Sequence, residues 1–204
     1  MDAEHRASWL LEKADLGVSY AAYRDAVRQA VDAGRTTGDH QTPALAEYTV
    51  LNQARMDRLD KTVRLDPDLR EALEQVAAQT WLVLSEGWCG DAAQNLPVIA
   101  AMADSAPAIR LSVLGRDAHP DLMDRYLTQG SRSIPKLVAI NEAGTELFTW
   151  GPRPGPAQRM ILENKALPLE EQLPYPELAR KLHTWYAQDR TATLQAEFIA
   201  LLKP

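Results

Sequence analysis

The sequence predicts an α/β fold with helical extensions at both ends, and two observations support this prediction. Between residues 81 and 166, short apolar runs of strand length alternate with segments that repeat apolar residues every three or four positions. Helical segments of the same kind precede and follow that region. Strands that alternate with helices along a chain are typical of a sheet covered by helices. At 204 residues, the chain fits one domain with helical extensions better than two full domains.

Three helices are predicted before the first strand. Apolar side chains recur three and four positions apart in this part of the chain, over 20–31, 45–63 and 69–76. The third helix is entered through Asp66-Pro67, and proline suits the first turn of a helix. We therefore expect residues 1–66 to form an N-terminal helical extension.

The central segment, 67–167, predicts a sheet. Residues 81–85 form an apolar run with the length of a strand that is buried on both faces. The turn over 141–144, which ends in glycine, predicts a hairpin. In chain order we expect a strand, a helix, a strand, a helix, two hairpin strands and a helix, over 81–85, 91–105, 109–113, 120–127, 137–140, 145–150 and 157–166.

The last segment, 168–204, predicts helices packed on the central domain. Three prolines between residues 167 and 176 indicate a linker at its start. Beyond the linker, apolar residues at helical spacing predict two helices, over 178–185 and 194–201.

Composition and charge argue against several classes of protein. The net charge of −6 leaves no basic stripe to neutralise the phosphates of a nucleic acid. No apolar run has the length that spans a bilayer, and the first residues lack the pattern of a secretory signal. The four histidines are scattered without the spacing of metal ligands. We therefore expect no nucleic-acid partner, no membrane and no metal, and a single cysteine fits a reducing cytoplasm.

Cys89 is the only cysteine, and it follows the predicted strand 81–85 directly, within Trp88-Cys89-Gly90-Asp91. A thiol at a strand-to-helix turn faces the unpaired N–H groups and the positive dipole end of the helix, which favour the thiolate. We expect an accessible thiol with a pKa below that of free cysteine. The negative charge of Asp91 opposes part of that lowering.

The surroundings of the cysteine resemble thioredoxins. Trp88-Cys89-Gly90 is similar to the start of the family's Trp-Cys-Gly-Pro-Cys motif. Pro97 stands eight residues after the cysteine, where the family's active-site helix carries its kinking proline. With the loop described next, these features extend the resemblance over about half of the chain.

A second loop strengthens the resemblance. Arg132-Ser133-Ile134-Pro135 is similar to the thioredoxin loop whose proline is cis and packs against the reactive sulfur. Gly151, sixteen residues after that proline, resembles the family's glycine beside the substrate groove. We therefore expect a cis Ile134–Pro135 peptide bond against Cys89. The longer motifs look closer still to a little-characterised bacterial group of thioredoxin-like proteins.

The resemblance implies a thioredoxin-like three-layer α/β/α fold with a four-stranded mixed sheet. It also implies that Cys89 is the nucleophile. Asp91, two residues later, is a candidate proton shuttle. The substrate-binding residues that it implies are Trp88, Gly90, Arg132, Ile134, Pro135, Gly151 and Arg153. Simpler alternatives stay open, because an acid in the first turn of a helix also meets the dipole, and a surface arginine is often only solvated.

Two positions depart from the thioredoxin pattern. Ala92 stands where the family has its second, resolving cysteine. Val83, six residues before Cys89, stands where thioredoxins have a buried aspartate that transfers protons. A full dithiol reductase cycle is therefore not expected from this chain.

Three functions remain open from the sequence. The first is a single-cysteine thiol–disulfide oxidoreductase, in which Cys89 forms a mixed disulfide with a protein or small-molecule client. Such an enzyme needs no bound cofactor, and glutathione or another small thiol serves as co-substrate. The second is a non-catalytic module that binds an extended peptide in the groove. The third is an iron–sulfur cluster site of the kind found in single-cysteine glutaredoxins, which the sequence after Gly90 does not match.

Overall fold

The structure, a computed structural model, describes residues 2–203. Four strands form one sheet, and nine helices surround it within those residues. In chain order the elements are α1 (Ala3–Leu16), α2 (Tyr20–Asp32), α3 (Pro43–Thr62), α4 (Pro67–Glu74), β1 (Gln79–Ser85), α5 (Gly90–Ser105), β2 (Ile109–Gly115), α6 (Pro120–Met123), β3 (Lys136–Asn141), β4 (Glu146–Trp150), α7 (Gly155–Ala166), α8 (Tyr175–Asp189) and α9 (Ala192–Leu201).

The sheet is mixed, with the strand order β2-β1-β3-β4. β1 and β2 run parallel with Val83 opposite Val113, and β1 and β3 run antiparallel with Leu82 opposite Val138. β3 and β4 form the predicted antiparallel hairpin, whose turn ends at Gly144 with φ +77. β1 is a central strand and is almost wholly buried, which explains its continuous apolar run.

Helices cover both faces of the sheet, which gives the three layers. On one face, Trp81 and Val83 of β1 join an apolar cluster with Leu96 and Ile99 of α5. On the opposite face, strand residues join α1 and α6 in a second cluster, through Leu10, Leu82, Leu84, Leu122 and Val138. The predicted α/β/α fold with helical extensions is confirmed.

The N-terminal extension packs through helices that begin at ordinary capping residues. Ser19 caps α2 and Thr42 caps α3, each through a side-chain oxygen that accepts a backbone N–H. Buried Arg24 of α2 binds Asp57 and Asp60 of α3, which fixes the two helices together. α3 then packs along α5, the helix that follows Cys89.

The C-terminal helix α9 inserts into the core beside the sheet. Phe198 is fully buried and contacts three aromatic residues of the sheet. Its ring centroid lies 5.3 Å from that of Trp81, 5.7 Å from Trp150 and 6.3 Å from Phe148. The tail is therefore part of the core that supports the sheet.

Three details differ from the sequence prediction. α1 was not predicted as a separate helix, because it buries only Leu10 and Ala14 and shows little apolar periodicity. α6 ends at Met123 instead of 127, since the next residues form turns. α8 begins at Tyr175, inside the predicted linker, because Pro174 and Pro176 occupy a helix start. The domain boundaries given above remain a prediction.

Candidate functional site

Cys89 is the N-cap of α5, at the end of the loop that leaves β1. Its Sγ accepts a hydrogen bond from the backbone N–H of Ala92 at 3.4 Å. On the other side, Sγ lies 3.1 Å from the carbonyl oxygen of Ile134, to which the S–H donates. The helix end favours the thiolate, whereas the Ile134 carbonyl holds the protonated thiol.

The expected lowered pKa and easy access of Cys89 are wrong for this conformation. The residue is buried, with 7% of its surface exposed. Burial, and after it the negative charge of Asp91, raise the pKa of the thiol to about 12. Backbone hydrogen bonds from α5 and the Arg153 cation act in the opposite direction but do not compensate. The penalty for a buried charge thus exceeds the effect of the helix end.

Asp91 is engaged by two neighbouring side chains. Its Oδ2 accepts hydrogen bonds from Arg153 Nε at 3.0 Å and from a terminal nitrogen of Arg153 at 2.6 Å. Its Oδ1 accepts the hydroxyl of Tyr186, at 2.7 Å, and Asn95 Nδ2 donates to the same hydroxyl. With 8% exposure and both oxygens occupied, the Asp91 carboxylate holds the first turn of α5 in place.

The loop before β3 lies beside the sulfur. The Ile134–Pro135 peptide bond, which we expected to be cis, is cis in the structure, and so is Gly151–Pro152. Gly151 has φ +112, and a Cβ on it would lie 2.2 Å from the Pro135 carbonyl oxygen. Glycine is needed there because the backbones approach so closely. Pro135 and Gly151 therefore pack against each other next to the site.

A pocket of about 200 Å³ opens above Cys89. It brings together most of the predicted site residues, and its lining consists of Trp88, Cys89, Gly90, Asp91, Arg116, Arg132, Ser133, Ile134, Arg153 and Tyr175. Two of the predicted arginines in this lining are already bound to carboxylates. Arg132 binds Asp124, and Arg153 binds Asp91. Their charges are therefore largely neutralised.

Trp88 forms one wall of the pocket. The Arg116 guanidinium lies over its ring, 4.6 Å from the centroid, and also binds Asp117. The Trp88 Nε1 is buried and has no hydrogen-bond partner among residues 2–203. A buried donor without a partner is uncommon in proteins, and this one belongs to a residue of the pocket lining.

The helical extensions contribute residues that the sequence analysis did not select for the site. From α8, Tyr175 lines the pocket, Tyr186 binds Asp91, and His183 lies against Gly90. From α3, Asn52 donates to the Gly87 carbonyl at 2.9 Å and accepts from Arg55 at 2.8 Å. In the sequence, these polar residues stand out only because they alternate with apolar residues at helical spacing. Such a pattern does not distinguish a residue of a functional site from a residue on the surface of a helix.

The two departures from the thioredoxin pattern are fully buried. Val83 lies in the apolar cluster on the α5 face, so no proton carrier is present there. Ala92 packs in the opposite cluster with Cys89. Across residues 2–203, no group of three or more histidine, cysteine or acidic residues is placed to hold a metal ion. In the same range, no helix has the length and apolarity needed to cross a membrane.

Fold and site together define a thioredoxin-fold protein with a single cysteine at the cap of the helix after its first strand. A profile of the family described as thioredoxin matches residues 38–170. The match covers more than half of the chain, and the protein belongs to the thioredoxin family. No curated protein matches the sequence.

Two solved structures are similar over nearly the whole chain. One is a protein of unknown function from Pseudomonas aeruginosa, which is 18% identical with a TM-score of 0.62, the alignment covering 92% of this chain and 93% of that one. The other is an HIV epitope scaffold, 17% identical with a TM-score of 0.55, covering 91% and 98%. At these identities, the likeness concerns the fold alone.

Proposed function

We propose that the protein is a single-cysteine thiol–disulfide oxidoreductase that forms mixed disulfides through Cys89. The observation that supports this most is the position of Sγ. It caps α5, lies next to the Ile134–Pro135 loop and forms part of the floor of a pocket. Family and fold support a thioredoxin-type function in general, and the position of the sulfur gives that function a reacting atom.

The proposed reaction has three exchange steps, two of which involve Cys89. The Cys89 thiolate attacks one sulfur of a client disulfide, the client S–S bond breaks, and the other half leaves as a thiolate that takes a proton from water. Since the chain has no second cysteine, an external thiolate such as that of glutathione attacks the mixed disulfide. That step releases Cys89 and leaves the external thiol joined to the client half. A second external thiol completes the reduction of the client.

The raised pKa sets the pH dependence of the first step. Because the thiol is protonated near neutral pH in this conformation, only a small fraction of molecules carry the thiolate. We therefore expect the exchange to be slow at pH 7. Each unit of pH should accelerate it about tenfold until the pH approaches the pKa of Cys89.

Mixing the protein with oxidised glutathione tests the proposal. Intact mass should show one added glutathione, which forms faster at pH 9 than at pH 7 and persists until a reduced thiol is added. A Cys89→Ser variant, matched in size and without a thiol, should form none. Wild-type protein that forms no adduct at high pH and large oxidant excess would contradict the proposal.

A peptide-binding module without turnover is the second candidate, and the burial of Cys89 favours it. A thiol with its pKa raised to about 12 acts mainly as a small apolar side chain. The groove along Trp88 and Ile134 would then hold an extended client. In this case a Cys89→Ala variant retains full affinity for a client peptide, whereas under the redox proposal it loses covalent capture.

Localisation and the remaining co-reactants complete the proposal. We place the reaction in the cytoplasm, where reduced small thiols are available to resolve the adduct.

Cluster binding, the third possibility from the sequence, predicts a coloured protein after anaerobic reconstitution with iron and sulfide. A colourless product under those conditions removes it.

A further inference from the structure

The arginines in the lining of the Cys89 pocket do not supply a free positive charge. Arg116 is bound to Asp117, Arg132 to Asp124 and Arg153 to Asp91. Each pair joins one cation to one anion, so their charges largely cancel. An anionic substrate group that relied on these arginines would have to break an existing ion pair.

Arg55 of α3 is different. It is half-buried, and its guanidinium donates to the side-chain oxygen of Asn52 at 2.8 Å. No aspartate or glutamate lies within ion-pair distance of it in the described part of the chain, residues 2–203. Burial lowers the pKa of this guanidinium, and the negative charge of Asp91, which acts in the opposite direction, does not compensate.

Arg55 also lies close to a residue of the pocket lining. A Cβ on Gly90 would lie 3.6 Å from a terminal nitrogen of Arg55, and Gly90 itself lines the pocket next to Cys89. Asn52, which Arg55 contacts, donates to the Gly87 carbonyl in the loop before Cys89. Arg55 is thus tied to the same loop that positions the sulfur.

The neighbouring groups do not neutralise Arg55. His183 lies 3.1 Å from the position of a Cβ on Gly90, and its pKa is lowered to about 4 by burial and by the Arg55 cation. It is therefore neutral at pH 7, and its Nδ1 is buried without a hydrogen-bond partner in residues 2–203. A cation with no ion-pair partner and an imidazole with an unpartnered nitrogen therefore lie together against Gly90, the residue after Cys89.

We propose that Arg55 is a specificity-determining residue that binds a carboxylate on the disulfide with which Cys89 reacts. The inference rests on the proposed function and deepens it. A half-buried guanidinium with no carboxylate partner gains most from an anion that brings two acceptor oxygens. The carboxylate belongs either to a small disulfide or to an acidic residue next to the cystine of a client.

The test compares disulfides that differ in charge. The probes are 3,3′-dithiodipropionate, a dianion, 2-hydroxyethyl disulfide, which is neutral, and cystamine, a dication. Rates of adduct formation are measured by intact mass at pH 9. Wild-type protein should react fastest with the dianion, and added salt should slow that reaction alone. To test whether the carboxylate belongs to a protein client, the rates are compared for two cystine peptides, one with glutamate and one with glutamine next to the cysteine.

Three variants isolate the contribution of Arg55. Arg55→Gln should lower the ratio of the dianion rate to the neutral-probe rate about tenfold, equivalent to about 1.4 kcal/mol. Arg55→Lys keeps the charge and should keep part of the preference. Arg58→Gln removes the same charge from an exposed position on the same helix and should leave the preference unchanged.

The outcomes separate this inference from the proposed function. No adduct with any probe would overturn the proposed function. Adducts that form equally fast with all three probes, or a dianion preference that survives in Arg55→Gln, would overturn the role of Arg55 alone. Should Arg55→Gln fail to fold, the charge preference and salt dependence of the wild-type protein decide the question.

Discussion

The hydroxyl of Tyr186 donates a 2.7 Å hydrogen bond to Asp91, two residues after the cysteine. Tyr186 belongs to α8, in the C-terminal extension, while Asp91 lies in the first turn of α5 in the central domain. Burial and the Asp91 charge raise the pKa of Tyr186, so its hydroxyl remains a donor. The contact makes the C-terminal extension part of the shell around Cys89.

Removing this hydroxyl should destabilise the protein. Tyr186→Phe leaves Asp91 Oδ1 and Asn95 without the hydroxyl that each contacts, and a hydrogen bond to a charged group contributes about 1.5–3 kcal/mol. We expect urea denaturation to show a loss in the free energy of unfolding within that range. Tyr175→Phe is the control, since Tyr175 is 68% exposed. Equal stability of the two variants would mean that the Tyr186 hydroxyl contributes little.

The Asp91–Arg153 pair should tune the reactivity of the thiol. Asp91 raises the pKa of Cys89 and Arg153 lowers it, after the larger effect of burial. Asp91→Asn removes the anion and leaves the Arg153 cation, so the alkylation rate of Cys89 at pH 8 should rise about tenfold. Arg153→Gln should lower the rate. The measurement is iodoacetamide labelling against pH, with circular dichroism to verify folding. Rates that move in the opposite direction would refute this account of the site.

Restoring the second cysteine should restore a dithiol cycle. The backbone N–H of Ala92 lies 3.4 Å from Cys89 Sγ, so a thiol at residue 92 would begin next to the first. Ala92→Cys should reduce insulin disulfides with thioredoxin reductase as the electron source, whereas wild-type protein reduces them poorly. The double variant Cys89→Ser/Ala92→Cys is the control. A folded Ala92→Cys protein that stays inactive would favour the peptide-binding module.

His183 should make the protein less stable in acid. Its pKa in the folded state is lowered to about 4, from 6.5, chiefly by burial, so the unfolded chain binds the proton more readily. The stability that depends on neutral His183 is therefore present above pH 6.5 and is lost as the pH falls towards 4. In urea unfolding between pH 7 and 4.5, His183→Gln should lose less stability than wild type. Exposed His40→Gln should follow wild type, and identical slopes for His183→Gln and wild type would contradict the assignment.

The fold was largely predictable because its signals are local. The apolar run of β1, the turn at Gly144 and the proline at the start of α4 each indicate an element from a few neighbouring residues. The four-stranded mixed sheet also followed from the resemblance of the Cys89 and Pro135 motifs. α1 was missed because its sequence shows little amphipathic pattern.

The site was predictable only where it is local in sequence. Cys89, Asp91, Ile134 and Arg153 were selected from motifs, and they do line one pocket. The burial of Cys89 was not predicted, since it depends on how the surrounding elements pack together. Tyr186 lies 95 residues along the chain from Asp91, and Arg55 lies 35 residues from Gly90. Neither Tyr186 nor Arg55 carries a motif of its own.

The aromatic cluster around Phe198 has a consequence for how the chain is made. Trp81, Phe148 and Trp150 belong to the sheet, yet the ring that joins them arrives from α9. During synthesis from the N-terminus, β1 to β4 leave the ribosome before Phe198 does. The nascent sheet therefore presents an open aromatic face to its surroundings until translation reaches the last helix, and only then does that face become inaccessible to chaperones.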